Sequence, residues 1–212
     1  MTGILFDLDG TLLNTLDDLA DGVNYVLTQF GYPRRSREEV RRFVGNGAAK
    51  LLQRAVPQGA DWQKPLEAFQ SYYREHCQNK TAPYPGIPEA LNELGRRYPL
   101  AIISNKPDGA VKKLCAAYFP GVFALGESPL CPRKPSPDMV YLGMEKIGVE
   151  RCIYVGDSEV DVRTAQNAGV PCLSVLWGFR EKGEIEAAGG NAFCESTSQL
   201  VSALENMMKE MK

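Results

Sequence analysis

The stretch Gly3-Ile4-Leu5-Phe6-Asp7-Leu8-Asp9-Gly10-Thr11 sets an apolar run against two carboxylates two residues apart, then a glycine and a hydroxyl. Side chains alternate faces along a strand, so Asp7 and Asp9 project the same way where the extended segment ends. Gly10 lets the backbone turn sharply and come close to a ligand. Crowded carboxylates repel, so the pair is costly unless a cation or a shared proton relieves it. Taken alone, the stretch also admits a plainer reading, an acidic turn after a buried strand. The rest of the chain has to decide.

Working outward, the same kind of apolar run recurs at Leu100–Ile103, Cys152–Val155 and Cys172–Leu176. Helix-like segments lie between these runs near 108–118, 137–147 and 159–168. Gly148 and Gly169 stand where helix C-terminal glycines belong. Strand–helix alternation of this type predicts an α/β fold with a parallel sheet covered on both faces.

Residues 15–82 break the rhythm. Leu16, Leu19, Ala20, Val23, Leu27 and Phe30 recur at helical spacing, with Thr15 as the candidate N-cap and Gly31 as the stop. Ser36-Arg37-Glu38-Glu39 reads as a capping box. Lys50–Ala55 and Leu66–Tyr73 also read as helical, and no strand is evident. The organisation expected is a catalytic core of residues 1–14 and 83–212 with an all-helical cap of residues 15–82 inserted. Leu13–Thr15 and Thr81–Gly86 are then the two connections, which suit a lid over a site. A rigid helical layer of the same core is the alternative.

Composition limits the chemistry. The 212 residues suffice for one large core, or a core and a small second unit. Twenty-four basic against 26 acidic residues give a net charge of −2, which argues against nucleic acid as a partner. No apolar run is long enough to span a membrane, and the N-terminus does not read as a secretory signal. Six cysteines without a CxxC pair suggest a reduced, cytoplasmic protein. His76 is the sole histidine, so histidine-based triads and zinc clusters are improbable. The chemistry must run on carboxylates, hydroxyls and lysine.

Open α/β sheets bind ligands at the carboxyl ends of their strands. Three expected strands end in reactive polar groups: Asp7 and Asp9; Ser104 and Asn105; Asp157 and Ser158, with Asp161 four residues after Asp157. Lys134 adds a cation in the proline-rich loop Pro132-Arg133-Lys134-Pro135-Ser136-Pro137. Four converging carboxylates would repel an anionic substrate unless a hard divalent cation joined them. All-oxygen donors point to Mg²⁺, which completes its shell with substrate phosphate oxygens. Lys134, the Ser104 hydroxyl and backbone N–H groups around Gly10 and Asn105 are candidates to hold a phosphoryl group. One carboxylate can attack phosphorus while a second protonates the leaving oxygen and then activates water. Asp7 as nucleophile and Asp9 as acid/base is the natural assignment.

Asp7-Leu8-Asp9-Gly10-Thr11, Ser104-Asn105, Lys134-Pro135 and Gly156-Asp157-Ser158-Glu159-Val160-Asp161 resemble, in order, the four motifs of the haloacid dehalogenase-like phosphatase superfamily. The resemblance spans nearly the whole chain. It implies a Rossmann-like core with a helical cap, and Mg²⁺ held by Asp7, the Asp9 backbone carbonyl and Asp157, with Asp161 in support. Asp9 itself points to phosphoryl transfer, since the dehalogenase branch lacks a carboxylate there. Within the superfamily, Phe43–Ala48 and Trp177-Gly178-Phe179-Arg180 look most like phosphoglycolate phosphatases. The activity so implied is hydrolysis of a small phosphorylated metabolite, 2-phosphoglycolate first, by a monomer or homodimer.

Several residues admit a plainer reading. Gly45-Asn46-Gly47 fits a substrate-facing loop and a simple interhelical turn equally. Arg180 and Lys106 are read as solvated surface charges rather than substrate contacts. His76 and Cys131 are read as chemically inert. Leu200, Leu204, Met207 and Met211 form the apolar stripe of a terminal helix. Rival functions are a phospho-receiver switch, a phosphosugar mutase, a pyrophosphatase or nucleotidase on the same fold, and a non-enzymatic descendant. The receiver fits the length and the helical insertion poorly, and no motif residue is missing as a dead enzyme would require.

Overall fold

The computed structural model describes residues 1–129 and 131–211. Its centre is a six-stranded, all-parallel sheet. The strands are β1 (Thr2–Phe6), β4 (Leu100–Pro107), β5 (Phe123–Glu127), β6 (Arg151–Gly156), β7 (Cys172–Val175) and β8 (Phe193–Cys194), in the order β5-β4-β1-β6-β7-β8. Alternation of side chains sorts each strand between two cores. Ile4, Phe6, Ile102, Ile153 and Val155 face one apolar cluster, and Leu5, Ala101, Ile103, Cys152 and Tyr154 face the other. The first is covered by α5 (Ile87–Gly95), α6 (Asp108–Tyr118) and α10 (Leu200–Glu210), the second by α7 (Asp138–Lys146) and α8 (Glu159–Ala168). Fully buried strands of this kind carry the continuous Val/Ile/Leu runs seen in the sequence.

The first chain segment forms the middle of the sheet, and the strands added later go to either side of it. Strand order therefore reverses at β1, and the crevice beyond its carboxyl end is the place where such sheets bind ligands. Asp7 follows β1 directly, and its backbone N–H donates to Val155 O at 2.8 Å. At the end of β4 the register with β5 shifts between Ser104 and Pro107, an irregularity that re-aims the side chains of Ser104, Asn105 and Lys106.

Between β1 and α5 lie four helices: α1 (Leu16–Gln29), α2 (Arg37–Phe43), α3 (Gly47–Ala55) and α4 (Gln63–His76). The expected Ser36–Glu39 capping box opens α2, with both of its hydrogen bonds made. Thr15 is the N-cap of α1, but its hydroxyl makes no capping bond and lies buried without a partner. The chain enters and leaves the helical segment through an antiparallel ribbon of β2 (Leu13–Asn14) and β3 (Ala82–Pro83). Buried Asp18, in the first turn of α1, accepts from Lys80 N at 2.9 Å and Thr81 N at 2.9 Å. That carboxylate ties the departure of the helices to their return.

Two small differences from the sequence reading concern helix faces and edges. The inward stripe of α10 is Leu200, Leu204 and Met208, with Met207 and Met211 only partly buried. The edge strands β5 and β8, together with α5 and α9 (Lys182–Ala187), were not legible, because short or half-exposed elements carry a weak apolar signal. All six cysteines are free thiols, and none of the described helices is long and apolar enough to cross a membrane.

Removing the Asp18 carboxylate leaves the buried Thr81 N–H and the part-buried Lys80 N–H without their acceptor. Asp18→Ala is therefore expected to cost about 2 kcal/mol or more, read as a lowered urea midpoint at unchanged m-value.

Candidate active site

A cavity of about 280 Å³ opens beyond the carboxyl ends of β1, β4 and β6. Asp7, Asp9, Ser104, Asn105, Lys134 and Asp157 all line it. Asp161 does not, although its carboxylate comes within 4.8 Å of those of Asp7 and Asp157. Six of the seven residues singled out in the sequence thus share one wall, with the seventh behind it.

Lys134 is the centre of the floor. Its Nζ donates to Asp7 Oδ1 at 2.7 Å, Asp161 Oδ1 at 2.8 Å and the Tyr154 hydroxyl at 3.0 Å. An ammonium has three protons, and all three are spoken for. Lys134 is therefore first a counter-charge to Asp7, and the phosphate grip expected of it has no spare donor in this arrangement. Burial opposes the charge on Lys134, but Asp161 and Asp7 outweigh it and hold the lysine protonated. Asp161 accepts from Lys134 and Tyr154 on Oδ1 and from Ser158 N and Oγ on Oδ2. It closes the N-terminus of α8 and anchors the lysine, which explains its place behind the wall.

Asp157 is held from two sides. Its Oδ2 accepts from Phe179 N at 2.6 Å, and its Oδ1 from the Thr11 hydroxyl at 3.3 Å. A Cβ on Gly10 or Gly178 would come within 2.3 Å of its side chain, and Gly10 also has φ of +86°. Glycine at both positions is the condition for the backbone to close around this carboxylate. Trp177 Nε1 donates to Thr11 O at 3.0 Å and joins the two flanking loops.

Asp7, Asp157 and Asp161 form a cluster of three buried carboxylates against one lysine. Burial pushes the Asp7 carboxyl well above the usual range, against the pull of Lys134. Burial, and then the charge of Asp161, raise Asp157 to about 7. The deficit is of two positive charges, and every nearby donor atom is an oxygen. This fits a hard divalent cation and no soft metal. Asp7 and Asp157, both on the cavity wall, are the side chains placed to hold it.

Asp9 stands apart from that cluster. Its Oδ2 pairs with Lys106 Nζ at 3.1 Å, while its Oδ1 is buried without a hydrogen-bond partner among the described residues. Lys106 also donates to the Tyr73 hydroxyl of α4 at 2.9 Å. The expectation that Lys106 is a surface charge is wrong: it is 6% exposed, seated by the irregularity at the end of β4. Arg180 corrects in the same way. It is 7% exposed, pairs with Glu159 at 3.0 Å and donates to Arg41 O at 3.0 Å and Val44 O at 2.6 Å.

Asn105 has its side chain occupied elsewhere than the cavity. Its Oδ1 accepts from Lys134 N at 2.7 Å, and its Nδ2 donates to Lys134 O and to Gly45 O. It fixes the lysine loop, leaving only its backbone for a ligand. Arg133 donates to Asn46 O at 3.1 Å. The Gly45-Asn46-Gly47 run is therefore a turn between α2 and α3 docked on the core, with Gly45 and Gly47 lining the cavity. Residues that the sequence reading missed are Tyr154, Tyr73, Thr11 and Phe179. Thr11 and Phe179 stood inside quoted motifs without a role, and Tyr154 showed only as a hydroxyl inside an otherwise apolar strand.

Comparison with known proteins adds the lineage. Residues 4–175 match the family model of haloacid dehalogenase-like hydrolases. A phosphoglycolate phosphatase of Vibrio parahaemolyticus is 33% identical over 218 residues, covering 95% of this chain and 95% of the relative. One of Haemophilus influenzae is 33% identical over 219 residues, covering 94% and 96%. A crystal structure from Lactobacillus delbrueckii subsp. bulgaricus superimposes with a TM-score of 0.91 at 34% identity, over 95% of this chain and 97% of that one. The crystal structure of CbbY from Rhodobacter sphaeroides, in complex with phosphate, gives 0.79 at 25% identity, over 96% and 98%. With its sheet, its buried aspartates and these relatives agreeing, the chain is an enzyme of the haloacid dehalogenase-like hydrolase family.

Proposed function

We propose that this enzyme hydrolyses a small phosphomonoester, 2-phosphoglycolate foremost, with Mg²⁺ and through an aspartyl-phosphate on Asp7. The observation that carries the reading is that Asp7 and Asp9 share one cavity wall while each is held by a different lysine. Two carboxylates in separate charge environments suit two separate roles. The names of the relatives, phosphoglycolate phosphatases at about one-third identity over most of both chains, support the substrate.

Asp7 attacks phosphorus with its unpaired oxygen while Lys134 keeps Oδ1 and the carboxylate plane in place. The bond from phosphorus to the leaving oxygen breaks, and Asp9 delivers a proton to that oxygen. In the second half Asp9 takes a proton from water, whose oxygen attacks phosphorus, and the bond to Asp7 breaks to release phosphate. The Ser104 hydroxyl accepts from Lys106 N at 3.3 Å, and its proton remains for a phosphate oxygen. Backbone N–H groups of the turn after β1 offer further donors. Asp7, Asp157 and the Asp9 carbonyl would hold Mg²⁺, which would neutralise the phosphoryl charge. Residues 15–82 act as a cap that excludes water and selects the leaving group, with Arg180, Arg133 and Asn105 as its attachment to the core.

Phosphate release should depend on Mg²⁺ and rank 2-phosphoglycolate above sugar phosphates, nucleotide monophosphates and pyrophosphate. Asp7→Asn is expected to lose roughly 10³-fold or more in kcat, and Asp9→Asn about 10²- to 10⁴-fold. An Asp7→Asn variant with the wild-type rate would remove the nucleophile from this scheme.

The raised carboxyls also set a pH dependence. The folded protein holds protons on Asp157 up to about 7, well above the ordinary value of 3.8. This cluster therefore favours the fold most in acid and loses that contribution as pH rises toward 7, unless a cation replaces the protons. The rise in melting temperature on adding Mg²⁺ should accordingly be larger at about pH 8 than at about pH 5.

A further inference from the structure

Four cations line the cavity: Arg74, Lys106, Lys134 and Arg180. Lys134 spends all three of its protons on Asp7, Asp161 and Tyr154. Arg180 spends its donors on Glu159 and on carbonyls of Arg41, Arg42 and Val44. Arg74 is exposed to solvent. Lys106 differs from all of these. Its ammonium has two partners among the described residues, Asp9 Oδ2 at 3.1 Å and the Tyr73 hydroxyl at 2.9 Å, so one N–H remains. Much of the wall around it is apolar, from Leu19, Val44, Leu51, Phe69 and Phe179. An anion entering that space needs a partner there, because a buried unpaired charge is expensive.

Resting on the phosphatase reading, we infer that Lys106, steadied by Tyr73, is the specificity-determining cation that receives a carboxylate on the leaving alcohol. The substrate class is then the phosphate esters of short 2-hydroxy acids. Position supports this. Lys106 touches the carboxylate assigned to protonate the leaving oxygen, so its spare N–H sits next to whatever that oxygen carries. A carboxylate on the adjoining carbon is the anionic group that falls nearest. Tyr73 adds a second restraint, since the ammonium lies 4.5 Å from its ring centroid as well as bonded to its hydroxyl. Tyr73 belongs to α4 and Lys106 to the end of β4, so the recognition site is made of both parts of the chain.

The test compares 2-phosphoglycolate with ethyl phosphate, which replaces the carboxylate by a methyl group. Wild-type enzyme should favour 2-phosphoglycolate in kcat/KM; Lys106→Met should slow both esters through Asp9 and lower kcat/KM for 2-phosphoglycolate by about 10- to 100-fold more than for ethyl phosphate, erasing the preference. Lys106→Arg should restore part of it. Equal losses on both esters would show that Lys106 serves Asp9 alone, and would overturn the inference. An inhibitor pair on the unaltered enzyme covers a variant that fails to fold: 3-phosphonopropionate should bind at least about tenfold tighter than propylphosphonate. Equal inhibition by the two would also overturn it. Turnover of other phosphomonoesters but of neither test ester would overturn the substrate class alone. Absence of Mg²⁺-dependent phosphate release from every ester would instead overturn the phosphatase reading itself.

Discussion

Three buried carboxylates gathered around a single lysine are the constraint on which the rest of the site depends. Each costs desolvation energy, and Lys134 can balance only one of them. The fold accepts this cost by spending many hydrogen bonds on it. Asp161 receives four, and Asp157 is gripped by Phe179 N and Thr11. What remains is an uncompensated negative charge facing a cavity, which suits a divalent cation and, in the proposed reaction, a phosphoryl anion held through it. Pre-set groups of this kind need no reorganisation when charge develops during reaction.

The second organising feature is the division of labour between two lysines. Lys134 holds Asp7 from the core side, and Lys106 holds Asp9 from the side nearer α4. The helical segment reaches the site through backbone carbonyls: Val44 to Arg180, Gly45 to Asn105, Asn46 to Arg133. Arg180 is adjacent to Phe179, whose N–H binds Asp157. The carboxylate cluster and the helices above it are thus joined through one short loop, residues 177–180. This joins the placement of the helical segment to the geometry of the cluster.

Much of this was legible in the sequence, for specific reasons. The strands β1, β4, β6 and β7 are buried on both faces and so read as apolar runs, and their ends carried Asp7, Ser104 and Asp157 in plain view. Capping chemistry at Ser36 and terminal glycines at 148 and 169 placed helix ends. The misses share one cause: burial of a charged side chain by partners distant in sequence leaves no local pattern. Lys106 and Arg180 look like surface cations until Asp9, Tyr73 and the carbonyls of 41–44 are brought beside them. Lys134, expected at the phosphate, has its ammonium bonded to Asp7, Asp161 and Tyr154, partners that no local pattern announces. Asn105 likewise turned out to be a strut between two loops.

The unbalanced charge of the cluster is most directly tested by thermal unfolding of wild type and Asp157→Asn, each with chelator and with Mg²⁺. Asparagine can still accept from Phe179 N and can donate its amide to the Thr11 hydroxyl, which reverses, while deleting one negative charge. The account predicts that, without metal, the variant melts at or above the wild-type temperature, and that only wild type is stabilised by Mg²⁺. A variant that melts well below wild type in chelator, yet still gains stability from Mg²⁺ as wild type does, would contradict it.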